Sequence, residues 1–146
     1  MRKHLFQQGD NALKVYNETQ IISTRGEMDF IDLTDKVQSA VTKSKIKNGL
    51  IHVFAPHATG VLVLTEFESG LLEDVQHALD RLIPRYARYE HPDNAHSHLR
   101  SMFLSPSKTI PIINGQATFG TWQSLFFIEV DTHPRQRKII IQIIGE

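Results

Sequence analysis

The chain has 146 residues, 40% hydrophobic and 22% charged, with 16 basic side chains balancing 16 acidic ones and no cysteine. That length suits one compact domain over residues 1–146, and no apolar run reaches the roughly 18 residues a membrane span requires. A net charge of +0 offers no broad positive field to a nucleic acid or a membrane surface, and the lack of thiols excludes disulfides, cysteine nucleophiles and thiolate zinc sites. Any metal must therefore be held by nitrogen and oxygen ligands. The opening MRKHLFQQGD lacks the apolar stretch of a signal peptide, which predicts a cytoplasmic protein.

Ala12 to Ser23 alternates imperfectly between apolar and polar residues, and the turn chemistry of Ser23-Thr24-Arg25-Gly26 leads into a short run from Glu27 to Ile31. The pattern predicts an opening hairpin. From Asp32 the period changes. Leu33, Val37, Ala40, Val41 and Ser44 share one helical face, Asp32 or Thr34 can cap it, and Asn48-Gly49 can end it in a left-handed conformation. Lys43, Lys45 and Lys47 suit the negative end of that helix and read as solvated.

LIHVFA (Leu50 to Ala55) and VLVLT (Val61 to Thr65) are β-branched apolar runs around PHATG, predicting two strands of one buried sheet joined by a tight connection that carries His57. Glu66 closes the second strand. The next helix is capped by Ser69, presents Leu71, Leu72, Val75, Ala78, Leu79 and Leu82 at helical spacing, and stops at Pro84. Ala95 to Leu104 follows as a short helix capped near Asn94, with Leu99, Met102 and Phe103 expected inward. A strand from Lys108 to Ile113 leads to Asn114-Gly115, a strong type I′ hairpin signal. Gly120 to Asp131 and Lys138 to Ile144 complete the strands, with a polar turn around His133 between them. About eight strands and two to three helices, with hairpins at several joints, indicate an α+β domain with a largely antiparallel or mixed sheet.

The chemistry concentrates in YEHPDNAHSHLRS (Tyr89 to Ser101), which holds three of the eight histidines: His91, His96 and His98. Imidazole titrates near neutrality and is the commonest metal ligand, so this excess suggests proton transfer or metal binding, against the bland alternative of a solvated loop. On a helix His96 and His98 project about 200° apart, so one of them faces a site and not both, whereas in an extended segment the two would share a face and could form a joint site; the pattern favours the helix.

Three separated segments, GLIHVFAPHATGVLVLTE, YEHPDNAHSHLRS and GTWQSLFFIE, together with IGE at the end, resemble the YjbQ family over nearly the whole chain. The combination is specific, above all the histidine turn between apolar strands, the Ser-His-Leu-Arg segment and the Gly-Thr-Trp-Gln tetrapeptide. The resemblance implies a compact α+β domain that assembles as a homotrimer, and a secondary thiamine-phosphate synthase activity. Matched by motif, His57, Glu66, His91, Asn94, His98, Arg100, Thr121, Trp122, Gln123 and Glu129 take the places of recurrent family residues, whereas His96 matches none. The chain departs from the family in the HATG turn, where a hydroxyl residue usually follows the histidine directly. It departs again in VDTHPRQRK, which lacks the usual glycines, and this weakens a ligand role for His133.

The implied reaction joins a hydroxymethylpyrimidine diphosphate to a thiazole phosphate and releases pyrophosphate. Leaving-group charge would be met by Arg100, by the amino end of the Asn94 helix and by a divalent ion, zinc or magnesium, with Lys108 a further candidate. His57 and His98, and then His91, are expected to act as metal ligands or as an acid and base, with Glu66 orienting one ring. Asn94, Arg100, Thr121, Gln123 and Glu129 are expected to touch substrate. Trp122 is either a core aromatic or a flat wall for a pyrimidine ring, and Glu129, interrupting LFFIEV, is either salt-bridged or turned into the site. Metal-dependent hydrolysis of another small phosphate or amide, and non-catalytic ligand binding by a trimer, are the competing readings.

Overall fold

The computed structural model describes residues 12–146, so the MRKHLFQQGD segment lies outside the described residues. The chain runs β1 (Lys14–Ser23), β2 (Asp29–Asp32), α1 (Thr34–Ser44), β3 (Gly49–Phe54), β4 (Gly60–Thr65), α2 (Ser69–Leu82), α3 (Ala95–Leu104), β5 (Ser107–Ile113), β6 (Gln116–Ala117), β7 (Ser124–Glu129) and β8 (Gln136–Gly145). The described strands form two sheets, ordered β1-β8-β3-β5-β6 and β2-β7-β4, with every pairing antiparallel. This is the expected α+β class.

The expected opening hairpin does not form: β1 pairs with β8 and β2 with β7, because the chain crosses between sheets after Ser23. The Thr24 N–H bonds to the Arg135 carbonyl, and positive φ at Gly26 and Met28 turns the backbone toward β7. The expectation of β3 and β4 side by side in one sheet is also overturned. β3 lies between β8 and β5, and β4 pairs only with β7. Their alternate residues nevertheless meet, since Ile51 and Val53 from the large sheet and Leu62 from the small one belong to the same buried core as Leu125 and Phe127. Helix α1 contributes Val37, Ala40 and Val41 to that core. The other face of the small sheet, with Val61, Phe126 and Ile128, is covered by Leu72 and Val75 of α2 and Leu104 of α3.

Local signals were met in two ways. Asn114 and Gly115 both adopt positive φ, at 52° and 76°, and turn β5 into β6 as the dipeptide predicts. Helix α1 instead ends on Lys45 at φ 59°, leaving Gly49 to open β3. There a Cβ would stand 2.1 Å from the Ile144 carbonyl oxygen, so the position admits only glycine. Helix α2 is capped by Glu68, not Ser69: its carboxylate accepts from the N–H groups of Gly70 and Leu71 at 2.8 and 2.9 Å. The long strand expected from Gly120 shortens to Ser124–Glu129, because the Gln123 N–H closes a turn onto the Gly120 carbonyl at 2.9 Å.

Helix α3 has the expected bounds and the opposite facing. Ala95, His96, Ser97, Arg100 and Ser101 are buried, while Met102 and Phe103, expected inward, are 68% and 72% exposed. The reason is a polar cluster beneath the helix that outbids its apolar stripe. Arg100 Nη1 donates to Glu27 at 2.8 Å, Nη2 donates to Asp80 at 3.0 Å and to the Ile83 carbonyl at 2.9 Å, and His96 Nε2 lies 3.2 Å from Glu27. A fully buried guanidinium must have its donors met, and here the other segments supply acceptors for them.

Candidate functional site

The loop between β3 and β4 and the outer side of α3 bring His57 and His98 together. Both line a cleft of about 290 Å³ whose remaining walls are Ala58, Ser101, Met102 and Pro106. His57 is fixed by the large sheet: its Nε2 lies 3.0 Å from both the N–H and the carbonyl oxygen of Lys138, and this leaves Nδ1 as the ring nitrogen open to a partner. Burial pushes its pKa below the ordinary histidine value, outweighing the Lys138 backbone bond that works the other way, and so favours the neutral ring. His98 is exposed and packs edge-on against His91, with ring centres 5.1 Å apart and planes at 82°. His91 Nε2 in turn lies 3.3 Å from Asn94 Oδ1.

One turn before His98, Asn94 opens a second cavity of about 410 Å³, bordered also by Arg85, Asp93, Asp131, His133 and Arg135. Asn94 holds the helix N-cap position without a side-chain cap bond, and its amide donates to Asp131 Oδ1 at 3.2 Å. Burial raises the Asp131 pKa. The Thr132 N–H, the Asn94 amide and the Arg135 guanidinium outweigh it and hold the carboxyl at about 2. Arg135 makes its closest contact to Asp131 Oδ2 at 2.8 Å.

Beneath this cavity lies Glu129, fully buried and gripped by both nitrogens of one Arg137 edge, with Nε to Oε2 at 2.7 Å and Nη2 to Oε1 at 2.6 Å. Thr24 Oγ1 donates to the same carboxylate at 2.8 Å, and Arg137 Nη2 also donates to Thr59 Oγ1 at 2.9 Å. Of the two alternatives for Glu129, the chain uses the salt bridge, and no oxygen of that carboxylate is left to meet a ligand.

The other expected residues lie apart from the cleft. Glu66 is exposed past the end of β4, lines neither of these cavities, and no hydrogen bond links it to an imidazole among the described residues. Arg100 is spent on Glu27, Asp80 and Ile83 and presents nothing to the cleft, which corrects its expected role as a phosphate contact. Thr121, Trp122 and Gln123 sit in the exposed turn before β7. Trp122 is 73% exposed, so it is not a core aromatic, and Gln123 Oε1 is occupied by the Gly120 N–H at 2.9 Å. Lys108 donates to the Leu104 carbonyl at 3.3 Å at the end of α3, and burial depresses its pKa.

Among the described residues, no group of three or more His, Cys, Asp or Glu side chains converges to hold a metal ion. His57, His91 and His98 therefore do not form a ready three-ligand centre within this chain, and the closest imidazoles are the His91 and His98 pair. No helix of the described residues is long and apolar enough to cross a membrane.

Asp131, Arg135, Arg137 and Ser101 were not anticipated from the sequence. Arg137 carried a usable signal. In β8 the buried positions alternate through Arg137, Ile139, Ile141 and Ile143, so a guanidinium entering an isoleucine face required a carboxylate partner, and Glu129 was the charge already out of place.

A family model described as "UPF0047 protein YjbQ-like" matches residues 18–146. A UPF0047 protein of Methanothermobacter thermautotrophicus is 39% identical over 92% of this chain and 95% of its own length. Among solved structures, a YbjQ-like protein of unknown function from Sulfolobus solfataricus P2 superposes with a TM-score of 0.88 at 34% identity, covering 92% of this chain and 100% of that one. A yjbq/upf0047 family protein from Clostridium acetobutylicum gives a TM-score of 0.81 at 32% identity, covering 86% and 98%. With sequence, fold and extent all in agreement, the chain belongs to the YjbQ-like UPF0047 family.

Proposed function

We propose that the protein is a small cytosolic transferase acting on phosphorylated heterocycles, with thiamine-phosphate formation as an activity of its His57/His98 cleft. The observation that carries this reading is the convergence of those two histidines, from a strand-connecting loop and a helix, on one cleft. In the reaction, the bond between the pyrimidine methylene carbon and the diphosphate oxygen breaks, and pyrophosphate departs with the electron pair. The thiazole nitrogen then bonds to the carbon. The His98 imidazole, free of intrachain hydrogen bonds among the described residues, is suited to hold a proton near the leaving oxygen, while His57 fixes the ring through Nδ1. Asn94 and His98 stand four residues apart on one helix, so the ring cleft and the polar cavity are neighbours along α3. The latter is lined by Arg85, which is paired with Glu27, by Arg135, which is paired with Asp131, and by His133 and the N-terminus of α3. The carboxylates of Asp93 and Asp131 share that lining, so the diphosphate would have to compete with carboxylates for these cations. A divalent ion, zinc or magnesium, would accompany the diphosphate and could draw a ligand from His91 or His98, and no step in this scheme runs through it.

Homotrimeric assembly belongs to the same proposal. Its support is the outer face of the five-stranded sheet, where Val15, Ile21, Leu50, Phe54 and Ile144 are exposed with no helix of the described residues over them. The perpendicular His91/His98 pair favours metal-dependent hydrolysis of another small phosphate or amide as a second reading. That reading requires bound metal and turnover to disappear together in His98→Ala, whereas ligand binding without product would mark a non-catalytic protein.

The deciding experiment supplies the gene to a host lacking its own thiamine-phosphate synthase. The natural chain restores growth without thiamine. His98→Ala keeps its fold and lowers turnover by about a hundred- to ten-thousandfold, the usual worth of a positioned acid or base. Equal rescue by both versions removes His98 from the mechanism.

A further inference from the structure

Strand register sorts the outer face of the five-stranded sheet into rows. Val15, Ile144, Leu50 and Pro111 stand side by side on β1, β8, β3 and β5 and make an apolar row. Two residues along each strand, Asn17, Gln142, His52 and Thr109 make a polar one, and Ile140 and Phe54 lie beyond it. The polar row is only half bonded within the chain. Gln142 Nε2 donates to Asn17 Oδ1 at 2.9 Å, and His52 Nδ1 lies 3.1 Å from Thr109 Oγ1, with the ring stacked on Phe54. The Asn17 amide N–H groups, Gln142 Oε1 and His52 Nε2 have no partner among the described residues. These four strands place no Asp or Glu side chain on this face, and Lys138 is its one fixed charge. At about 3.3 Å per residue and about 4.8 Å between strands, they present roughly 500 Å² in plan. Protruding side chains raise the accessible area toward the roughly 800 Å² that each partner brings to a stable interface. A highly charged partner would find no counter-charge here. An identical face supplies apolar rows for the apolar rows, and its Asn17 donors suit the open Gln142 acceptor.

We infer that this face is the contact between copies of the chain, and that His52 at its centre allows the contact only while its imidazole is neutral, so that acid separates the copies. The inference rests on the self-association included in the proposed function and deepens it by naming the polar centre of the contact and its control. Strand β3 lies between β8 and β5, so a covering copy shuts His52 away from water. The groups that face it are Thr109 on β5, Gln142 on β8 with Asn17 of β1 beyond, and Phe54 on its own strand. None is a carboxylate, a second copy brings none, and Lys138 adds only positive charge. An imidazolium enclosed there loses its hydration with no counter-charge in return. Association is therefore complete above the imidazole titration and is lost as pH falls through it.

The test is sedimentation velocity of the full chain over a dilution series, at about pH 7.5 and about pH 5.5. A histidine that must shed its proton to enter an interface weakens association about tenfold per copy for each pH unit below the imidazole midpoint. The natural chain associates at the higher pH, and its association constant falls at least tenfold at the lower one. His52→Gln, neutral throughout, stays associated at both, a gain of acid resistance that misfolding cannot imitate. His52→Lys, charged throughout, and Leu50→Glu, which places a carboxylate in the apolar row, are monomeric at both with the far-ultraviolet circular dichroism of the natural chain. The inference is overturned if the natural chain is a monomer at about pH 7.5, if Leu50→Glu leaves association intact, or if His52→Gln separates in acid as the natural chain does. Association with this acid dependence but no thiamine-phosphate product refutes the transferase reading and leaves the contact standing; product from a chain that stays monomeric does the reverse.

Discussion

The two sides of helix α3 carry similar residue types and do opposite things. On the inner side, His96 and Arg100 are buried against Glu27 and Asp80, every donor of consequence is met, and burial drives the His96 pKa below its ordinary value despite the Glu27 carboxylate nearby. On the outer side, His98 is exposed and His57 keeps one ring nitrogen open, and at the border between the two sides the buried Ser101 hydroxyl lacks a partner. A polar group that the fold has satisfied holds the helix in place. A polar group that the fold has left unsatisfied is available to something else. Residue type does not distinguish these cases; the count of partners does.

The sharpest way to break the contrast is to empty the inner side. Arg100→Met leaves Glu27 and His96 facing an apolar neighbour and detaches α3 from Asp80 and Ile83, so unfolding free energy should fall by about 3–5 kcal/mol in urea titration. A loss below about 1 kcal/mol would mean the cluster is far more solvated than its burial suggests. His98→Ala on the outer side should leave that midpoint in place while activity collapses.

A second, smaller effect tests the polar cavity. Asp131 has its folded pKa depressed from 3.8 to about 2, so its contribution is present above pH 4 and is lost as pH falls through about 2. At about 1.4 kcal/mol per pKa unit, that contribution is about 2 kcal/mol. Stability measured from pH 5 to pH 2 should therefore fall more steeply for the natural chain than for Asp131→Asn; parallel curves would refute the assignment. The smallest effect belongs to the turn before β7. Trp122→Ala removes a side chain that is 73% exposed, and Tm should shift by no more than about 0.5 kcal/mol of stability implies. A larger drop in either stability or self-association would show that Trp122 is covered in solution.

What could be read from the sequence depended on how local each cause was. The bounds of α3 and the Asn114-Gly115 turn follow from residues within a few positions of one another, and both were legible. The facing of α3 was not, because Glu27, Asp80 and Ile83 decide it from three other places in the chain. Leu99, Met102 and Phe103 formed a plausible apolar stripe, and nothing nearby announced that a guanidinium would be buried instead. The pairing of β1 with β8 and of β4 with β7 was hidden for the same reason, since register between distant strands leaves no mark on either one alone. The meeting of His57 and His98 was anticipated only as a wager on tertiary structure. Glu66, expected in the site from its place at a strand end and from its match to a recurrent family residue, is exposed and lies outside the cleft.

Strand β8 joins β1 to the rest of the large sheet, and β1 pairs with nothing else. During synthesis, the first strand described must therefore wait through more than a hundred residues of translation before its only neighbour leaves the ribosome. Until then Val15 and Ile21 stand on an unpaired strand. Strand β1 is thus still without its partner at a time when the cleft residues of α3 have already emerged.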